Sequence, residues 1–333
     1  MQALSWHAQE FQRLAATKSR LAHAVLLKGR RGIGKFVFAR ALAQALLCEA
    51  PDAENRACDA CAACAWFGEG NHPDYRQVEP ASLSEPESEE AEKKTAISVA
   101  QIRALADFIN VSSHRGGAKV VVVHPAEALN LNAANALLKN LEEPPPRTHF
   151  VLVTHRPHQL LPTIRSRCQQ IALPVPGRSV AAAWLAQHEV AEPELALAYT
   201  GEAPLLALEF MDNAYWAGRR AFMRQLASDD FDPFAAADAV RDCAPVHVIE
   251  WLQKWSYDLV HYRSLQRVRY NVDHVEAISR AARRIDTLAG SRFHREMVKL
   301  QPFVHHPLNA RLLFEDVLLS YRDLLQPHAV APA

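Results

Sequence analysis

Gly29-Arg30-Arg31-Gly32-Ile33-Gly34-Lys35-Phe36 is the stretch on which the reading of this chain turns. An apolar run, residues 23–27, precedes it, and a helical pattern through Val37, Ala39, Leu42, Ala43 and Leu46 follows. Strand, loop and helix thus stand in the order a phosphate-binding loop requires. Glycines let backbone N–H groups close around phosphate oxygens, and a lysine after the last glycine neutralises the outer phosphates. Gly29, Gly32, Gly34 and Lys35 are accordingly the candidate nucleotide-binding residues. A working NTPase continues with Ser or Thr, whose hydroxyl binds Mg²⁺. Phe36 stands there instead and has no oxygen to offer.

Outward from the loop, strand and helix patterns alternate. Residues 7–20, with Phe11, Leu14 and Ala15 and then Leu21 on one stripe, predict a short packing helix before the first strand. Tyr75 to Val78 alternates as a strand does, and Ile102, Leu105, Ala106 and Ile109 fall at helical spacing. Lys119 opens Val120-Val121-Val122-Val123, a β-branched run of the kind found in parallel strands covered on both faces. A helix over 131–142 points Ala134, Leu137, Leu138 and Leu141 inward and is stopped by Pro144-Pro145-Pro146. Phe150-Val151-Leu152-Val153-Thr154 and Ile171-Ala172-Leu173 are further strands, separated by a short helix that bears Arg165 and Arg167. The alternation predicts a three-layer α/β domain.

The valine strand ends in His124-Pro125, where a P-loop enzyme has an Asp that helps hold Mg²⁺, often followed by a Glu that polarises water. Glu127 lies past the strand end, and a catalytic group must lie within hydrogen-bond reach of what it activates.

Cys48, Cys58, Cys61 and Cys64 are spaced C-x9-C-x2-C-x2-C. Two overlapping C-x2-C steps and a fourth sulfur from the end of the loop's helix give a closed tetrahedron, which points to structural Zn²⁺. Four ordinary buried cysteines, or two disulfides, are the alternatives. Cys168 and Cys243 stand alone and read as small apolar residues.

The chain has 333 residues, 49% of them apolar, with 37 Lys plus Arg against 37 Asp plus Glu. This composition predicts a soluble protein of two or three domains. Balanced charge argues against a free-standing nucleic-acid binder such as a zinc-based DNA module. No basic and apolar leader pattern opens the chain, and no run of about 18 apolar residues suits a membrane span. A cytoplasmic location is expected, where clustered cysteines favour metal over disulfides. Residues 80–96 turn to Ser, Pro and Glu and are expected to be a surface loop.

Pro174 to Gly177 marks a boundary. Residues 180–208 read as small helices broken at Gly201-Glu202-Ala203-Pro204, and residues 210–326 as helices throughout. Leu252, Trp255, Leu259 and Tyr262 form one packing stripe; Leu312, Leu313, Val317, Leu318 and Tyr321 form another. Arg263, Arg267, Arg269, Arg280, Arg283 and Arg284 are read as a solvated face, with DNA backbone contact as the lesser reading.

Taken together, these features resemble the clamp-loader branch of the AAA+ ATPases. The resemblance is carried by the loop at 29–35, the cysteines at 48–64, Asn71-His72-Pro73-Asp74, Ala134-Asn135-Ala136-Leu137-Leu138-Lys139 leading into Leu141-Glu142-Glu143-Pro144-Pro145, Ser166-Arg167-Cys168, and the break at 201–204. They run in family order across the first two-thirds of the chain, whereas the C-terminal helices match only in general character.

The resemblance implies an AAA+ P-loop domain with a zinc module (residues 1–173, zinc ligands within 48–64), a small helical lid (174–208) and an all-α collar for oligomerisation (209–333). It implies a hetero-pentameric ring with gamma/tau-type ATPase and delta-type subunits, which holds a sliding clamp open and leaves it on primer-template DNA. In such a ring each nucleotide lies at an interface and the neighbour supplies the arginine of Ser-Arg-Cys, so Arg167 becomes a trans arginine finger. An ATP-hydrolysing member would have Ser or Thr at position 36, Asp-Glu at 124–125 and an arginine near Pro204, and all three are changed. The expectation is therefore a non-hydrolysing scaffold or stator, with ATP binding weak or absent. An ATP-hydrolysing gamma/tau-type subunit, with Glu127 or His124 substituting in the site, is the alternative.

Overall fold

Five parallel strands form the sheet of the first unit: β1 (Ala24–Lys28), β2 (Tyr75–Val78), β3 (Lys119–Val123), β4 (Thr148–Thr154) and β5 (Gln169–Ala172). They lie in the order β2-β3-β4-β1-β5. The computed structural model describes residues 3–84, 95–114, 117–209, 213–301, 304 and 309–326. The chain divides into two compact units, residues 1–177 and 178–333.

Both faces of the sheet are covered, which is why the valine run needs no polar alternation. On one face Val25, Leu27, Val120, Val122, Val151 and Val153 pack with α1 (Ala8–Ala16) and α2 (Lys35–Leu47). On the other, Leu26, Val121, Val123, Phe150 and Leu152 pack with three further helices. A seven-residue helix, α3 (Ala62–Gly68), adds Phe67 to the first face and follows three of the clustered cysteines. Beyond the sheet's other face lie α4 (Val99–Asn110), α5 (Leu131–Glu142) and α6 (Pro162–Arg167). Ser98 begins α4 in a reciprocal capping box with Gln101, and Asn130 caps α5 by accepting from the Ala133 N–H. The result is an α/β fold of three layers.

Strand limits differ from the sequence reading by one or two residues. Lys28, expected outside the first strand, pairs in register with Thr154 and Ala172. Leu138, expected to point inward, is half-buried at the edge of its helical stripe. The acidic stretch proper, residues 85–94, lies outside the described residues.

The second unit is helical, with no strand among its described residues. It contains α7 (Arg178–Gln187), α8 (Pro193–Thr200), α9 (Pro204–Glu209), α10 (Asn213–Leu226), α11 (Pro233–Ala239), α12 (Pro245–Leu265), α13 (Val275–Arg284), α14 (Thr287–Leu300) and α15 (Ala310–Leu325). Gly201, with φ of 67°, ends α8 in the left-handed conformation that a C-terminal glycine tolerates. Ala181, Leu185, Ala196, Leu197 and Ala207 form a small core among the first three helices. A larger core surrounds Trp251, Trp255, Phe314 and Tyr321, where the Trp255 indole N–H donates to the Tyr321 hydroxyl at 2.8 Å.

Two buried charged groups there are held by several partners each. Arg219, fully buried, holds Asp273 through two bonds and Asn271 through a third. Asp258 accepts from the backbone N–H groups of Arg269, Tyr270 and Asn271. The stripe on α15 needs one correction: Leu312 is 62% exposed and does not join the core. It sits in the first turn of the helix, two positions before Phe314, where the buried face begins. Among the described residues, no helix is long and apolar enough to cross a membrane.

Candidate functional site

The glycine loop leaves the carboxyl end of β1, beside the end of β4, where open parallel sheets place their ligand crevices. Gly32 and Gly34 have φ of 77° and 97°, a region that side chains disfavour. At Gly29 the constraint is contact, since a Cβ would lie 2.9 Å from Ile33 Cδ1 and 3.0 Å from the Leu173 carbonyl oxygen. The loop is braced from the amino-terminal side as well. Trp6 donates its indole N–H to the Ile33 carbonyl at 2.9 Å, and the buried His7 reaches the Pro174 carbonyl at 3.1 Å.

Lys35 is 2% exposed, and its ammonium donates to the carbonyl of Arg30 within the same loop. Burial pushes its pKa down to about 8, with the charge of Glu127 acting the other way. The lysine is therefore folded back onto the backbone of its own cradle.

Phe36 lies where a metal-binding hydroxyl would be, and its ring stacks on the His124 imidazole with centroids 4.4 Å apart. His155, just past β4, meets His124 edge-on at 5.4 Å. Burial, and then the charges of Lys35 and Arg31, lower His124 to about 4. Burial likewise lowers His155 to about 3, with Lys35, His124, Arg31 and Arg156 adding to it. Both rings are neutral near pH 7. Glu127 points one carboxylate oxygen at the backbone N–H of His155, 2.9 Å away, and so caps a chain turn. Three rings and a capping carboxylate thus stand near the loop lysine.

The sequence reading did not find His155. Its signal was hidden in topology: His155 meets His124 only because β4 lies beside β3, with Val123 paired to Leu152, and strand order is not written in either segment.

Cys48 ends α2, Cys61 precedes α3 and Cys64 lies within it. With Cys58, their sulfur atoms all fall within 4.8 Å of one another. Sγ–Sγ distances are 3.6 Å for Cys48–Cys58, 3.9 Å for Cys48–Cys61 and 4.0 Å for Cys58–Cys64. A tetrahedron with Zn–S bonds of about 2.3 Å has edges of about 3.8 Å, so the spacing fits such an ion. Backbone N–H groups of Cys58 and Cys61 point at the sulfurs of Cys48 and Cys58, each at 3.3 Å, as partners to thiolate charge. The four cysteines can hold a metal ion such as zinc, and they are the one such group among the described residues. Cys168 is buried, and burial raises its thiol to about 11.

Arg167 is the last residue of α6, far along the chain from the loop. Its guanidinium pairs with Glu142 at 2.5 Å and donates to the Thr163 carbonyl at 3.0 Å, with 34% of the side chain exposed. Among the arginines after Trp255, Arg280 pairs with Asp229 at 3.1 Å, and Arg269 lies over the Tyr270 ring.

A five-stranded parallel sheet in this order, with a glycine loop after β1 and helices on both faces, defines an AAA+-like P-loop protein. A family model described as DNA polymerase III, delta subunit, matches residues 6–176. DNA polymerase III subunit delta' of Pseudomonas aeruginosa is 39% identical over 249 residues, which is 73% of each chain. That of Escherichia coli (strain K12) is 30% identical over 344 aligned positions, covering 98% of this chain and 97% of its own. Among solved structures, a DNA polymerase III gamma subunit-related protein of Thermotoga maritima aligns with a TM-score of 0.49 at 18% identity, over 95% of this chain and 99% of that one. The chain belongs to the DNA polymerase III delta-prime subunit family.

Proposed function

We propose that this chain is a non-hydrolysing clamp-loader subunit, a scaffold that serves a neighbour's ATP site during DNA replication in the cytoplasm. The observation that carries the reading is the Phe36–His124 stack at the place of the metal-binding groups. Phosphoryl transfer on such a loop depends almost wholly on positioning and on charge stabilisation around metal and phosphate. A phenyl ring and two neutral imidazoles supply neither. Lys35, turned onto the Arg30 carbonyl, would have to leave that bond before meeting a phosphate, so nucleotide binding by Gly29, Gly32, Gly34 and Lys35 is weak or absent.

Arg167 is the group left with work to do. Half-exposed at the end of α6, it is suited to reach into the adjoining subunit's site and meet the charge that develops on the transferred phosphoryl group. The neighbour is a gamma/tau-type ATPase, and a delta-type subunit lies on the other side in a hetero-pentamer. Residues 174–208 act as the lid and 209–333 as the collar through which the ring assembles around its sliding clamp and primer-template DNA. Zn²⁺ on Cys48, Cys58, Cys61 and Cys64 has a structural role, joining the end of α2 to α3. The ATP-hydrolysing alternative needs Glu127 or His124 in a catalytic role. Glu127 is bonded to the His155 N–H and His124 lies against Phe36, which weighs against it.

Two assays test the reading. The isolated chain should show no Mg²⁺-dependent ATP turnover, and the loader reconstituted with gamma/tau-type and delta-type subunits should turn ATP over more slowly on Arg167→Ala. ATP hydrolysis by the isolated chain that disappears with Lys35→Ala would overturn the scaffold role.

A further inference from the structure

Glu142 is an unfavourable residue with which to finish α5. The C-terminal end of a helix carries the negative end of its dipole, so a carboxylate gains nothing there, and Glu143 follows directly. Helix stability does not account for it. Its partner does: Glu142 Oε1 accepts from Arg167 Nη2 at 2.5 Å, while Arg167 Nη1 donates to the Thr163 carbonyl at 3.0 Å. Two nitrogens held by two acceptors fix the plane of the guanidinium, where one contact would leave it free to turn.

The ground beneath the pair is rigid as well. Leu141, which precedes Glu142, is 1% exposed, and Cys168, which follows Arg167, is 8% exposed. Both belong to one core with Ile164 of α6, so α5 and α6 cannot shift the two partners apart without disturbing packed side chains. The guanidinium still keeps solvent-facing N–H groups, because the Arg167 side chain is 34% exposed.

We propose that Glu142 is a positioning residue for Arg167. It holds an otherwise rotamer-rich side chain at the angle from which its free N–H groups address the phosphoryl group bound by a neighbouring subunit. The inference rests on the reading of Arg167 as a trans finger. It adds that the finger's aim is set within this chain, before assembly, and that the acid needed to set it comes from the end of a different helix.

The test uses the reconstituted loader with ATP as substrate, comparing wild type, Glu142→Ala, Glu142→Gln, Arg167→Ala and the double variant E142A/R167A. Glu142→Ala should slow the one site that Arg167 serves roughly five- to tenfold in pre-steady-state turnover, with KM little changed, since misplacing a group in the transition state costs up to about a hundredfold. Glu142→Gln, which keeps an acceptor oxygen, should recover part of the loss. The double variant should be no slower than Arg167→Ala, as expected for residues that act as one unit. Exposed ion pairs contribute little to folding, so melting temperature and ring assembly should not move. Unchanged or faster turnover in Glu142→Ala, with Arg167→Ala impaired, would overturn the positioning role and leave the finger standing. Undiminished turnover in Arg167→Ala would remove both.

Discussion

The Phe36 ring lies against the His124 imidazole, 4.4 Å between centroids and 28° between planes. Two positions that would each help hold a metal ion in an active relative are here joined in an apolar contact. Neither is merely vacant chemistry, because His155 closes on the same imidazole from its edge. Restoring one ligand does not restore the site. Phe36→Ser in the isolated chain should give no Mg²⁺-dependent ATP turnover, and it should destabilise the fold by roughly 1–3 kcal/mol through lost ring burial. Steady-state ATPase assays and urea unfolding measure the two effects.

The buried imidazoles give the first unit an acid sensitivity with a defined sign. His124 is lowered from 6.5 to about 4 in the folded chain, so below pH 6.5 the unfolded chain binds the proton and the folded chain does not. Stability is unaffected by this group above pH 6.5 and falls as pH drops toward 4. At about 1.4 kcal/mol per pH unit the full loss from His124 is roughly 3 kcal/mol. His124→Phe, which keeps a ring on Phe36, should shrink the difference in unfolding free energy between pH 7 and pH 4.5 by about that order. An unaltered difference in denaturant titrations would mean that His124 takes up its proton without leaving the fold.

Metal analysis addresses the sulfur cluster directly. Protein purified without chelator should contain about one zinc per chain, as a single closed four-sulfur site requires. Cys64→Ser should release it and lower the melting temperature by roughly 5–10 °C, corresponding to about 2–3 kcal/mol for a domain of this size. Elemental analysis together with thermal denaturation decides the point.

Arg167→Ala is the sharpest test of the proposed arginine finger. Fingers of this kind accelerate phosphoryl transfer by about 10³ or more at the site they serve. Turnover by the whole loader should fall by less, because Arg167 is proposed to serve only one of its sites. Pre-steady-state measurement on the reconstituted assembly should resolve one slow site among faster ones, with subunit stoichiometry unchanged.

Much of this architecture was legible in the chain. The valine run at 120–123 and the glycine loop announce a parallel sheet and its crevice, because strong patterns there serve only one kind of structure. The cysteine spacing announced a four-sulfur cluster for the same reason. What stayed hidden was relational. His155 gains significance only beside His124, across two strands, and Glu142 only beside Arg167, across two helices. Lys35 was legible as a loop lysine, but its bond to the Arg30 carbonyl is a matter of torsion angles that no spacing encodes. Leu312 failed because a helical stripe read from the sequence cannot tell where neighbouring elements stop covering it.

Helix α2 is tied at both ends, by the glycine loop bonded to its own lysine at Lys35 and by Cys48, one of the four clustered sulfurs. Its 13 residues make a strut of about 20 Å. In the proposed assembly, with a metal ion on the four sulfurs, a strut pinned in this way would not slide along its axis, and the first unit should keep one shape throughout the ATP cycle of the proposed neighbours. Within the proposed ring, such a part would give moving subunits a constant angle to push against.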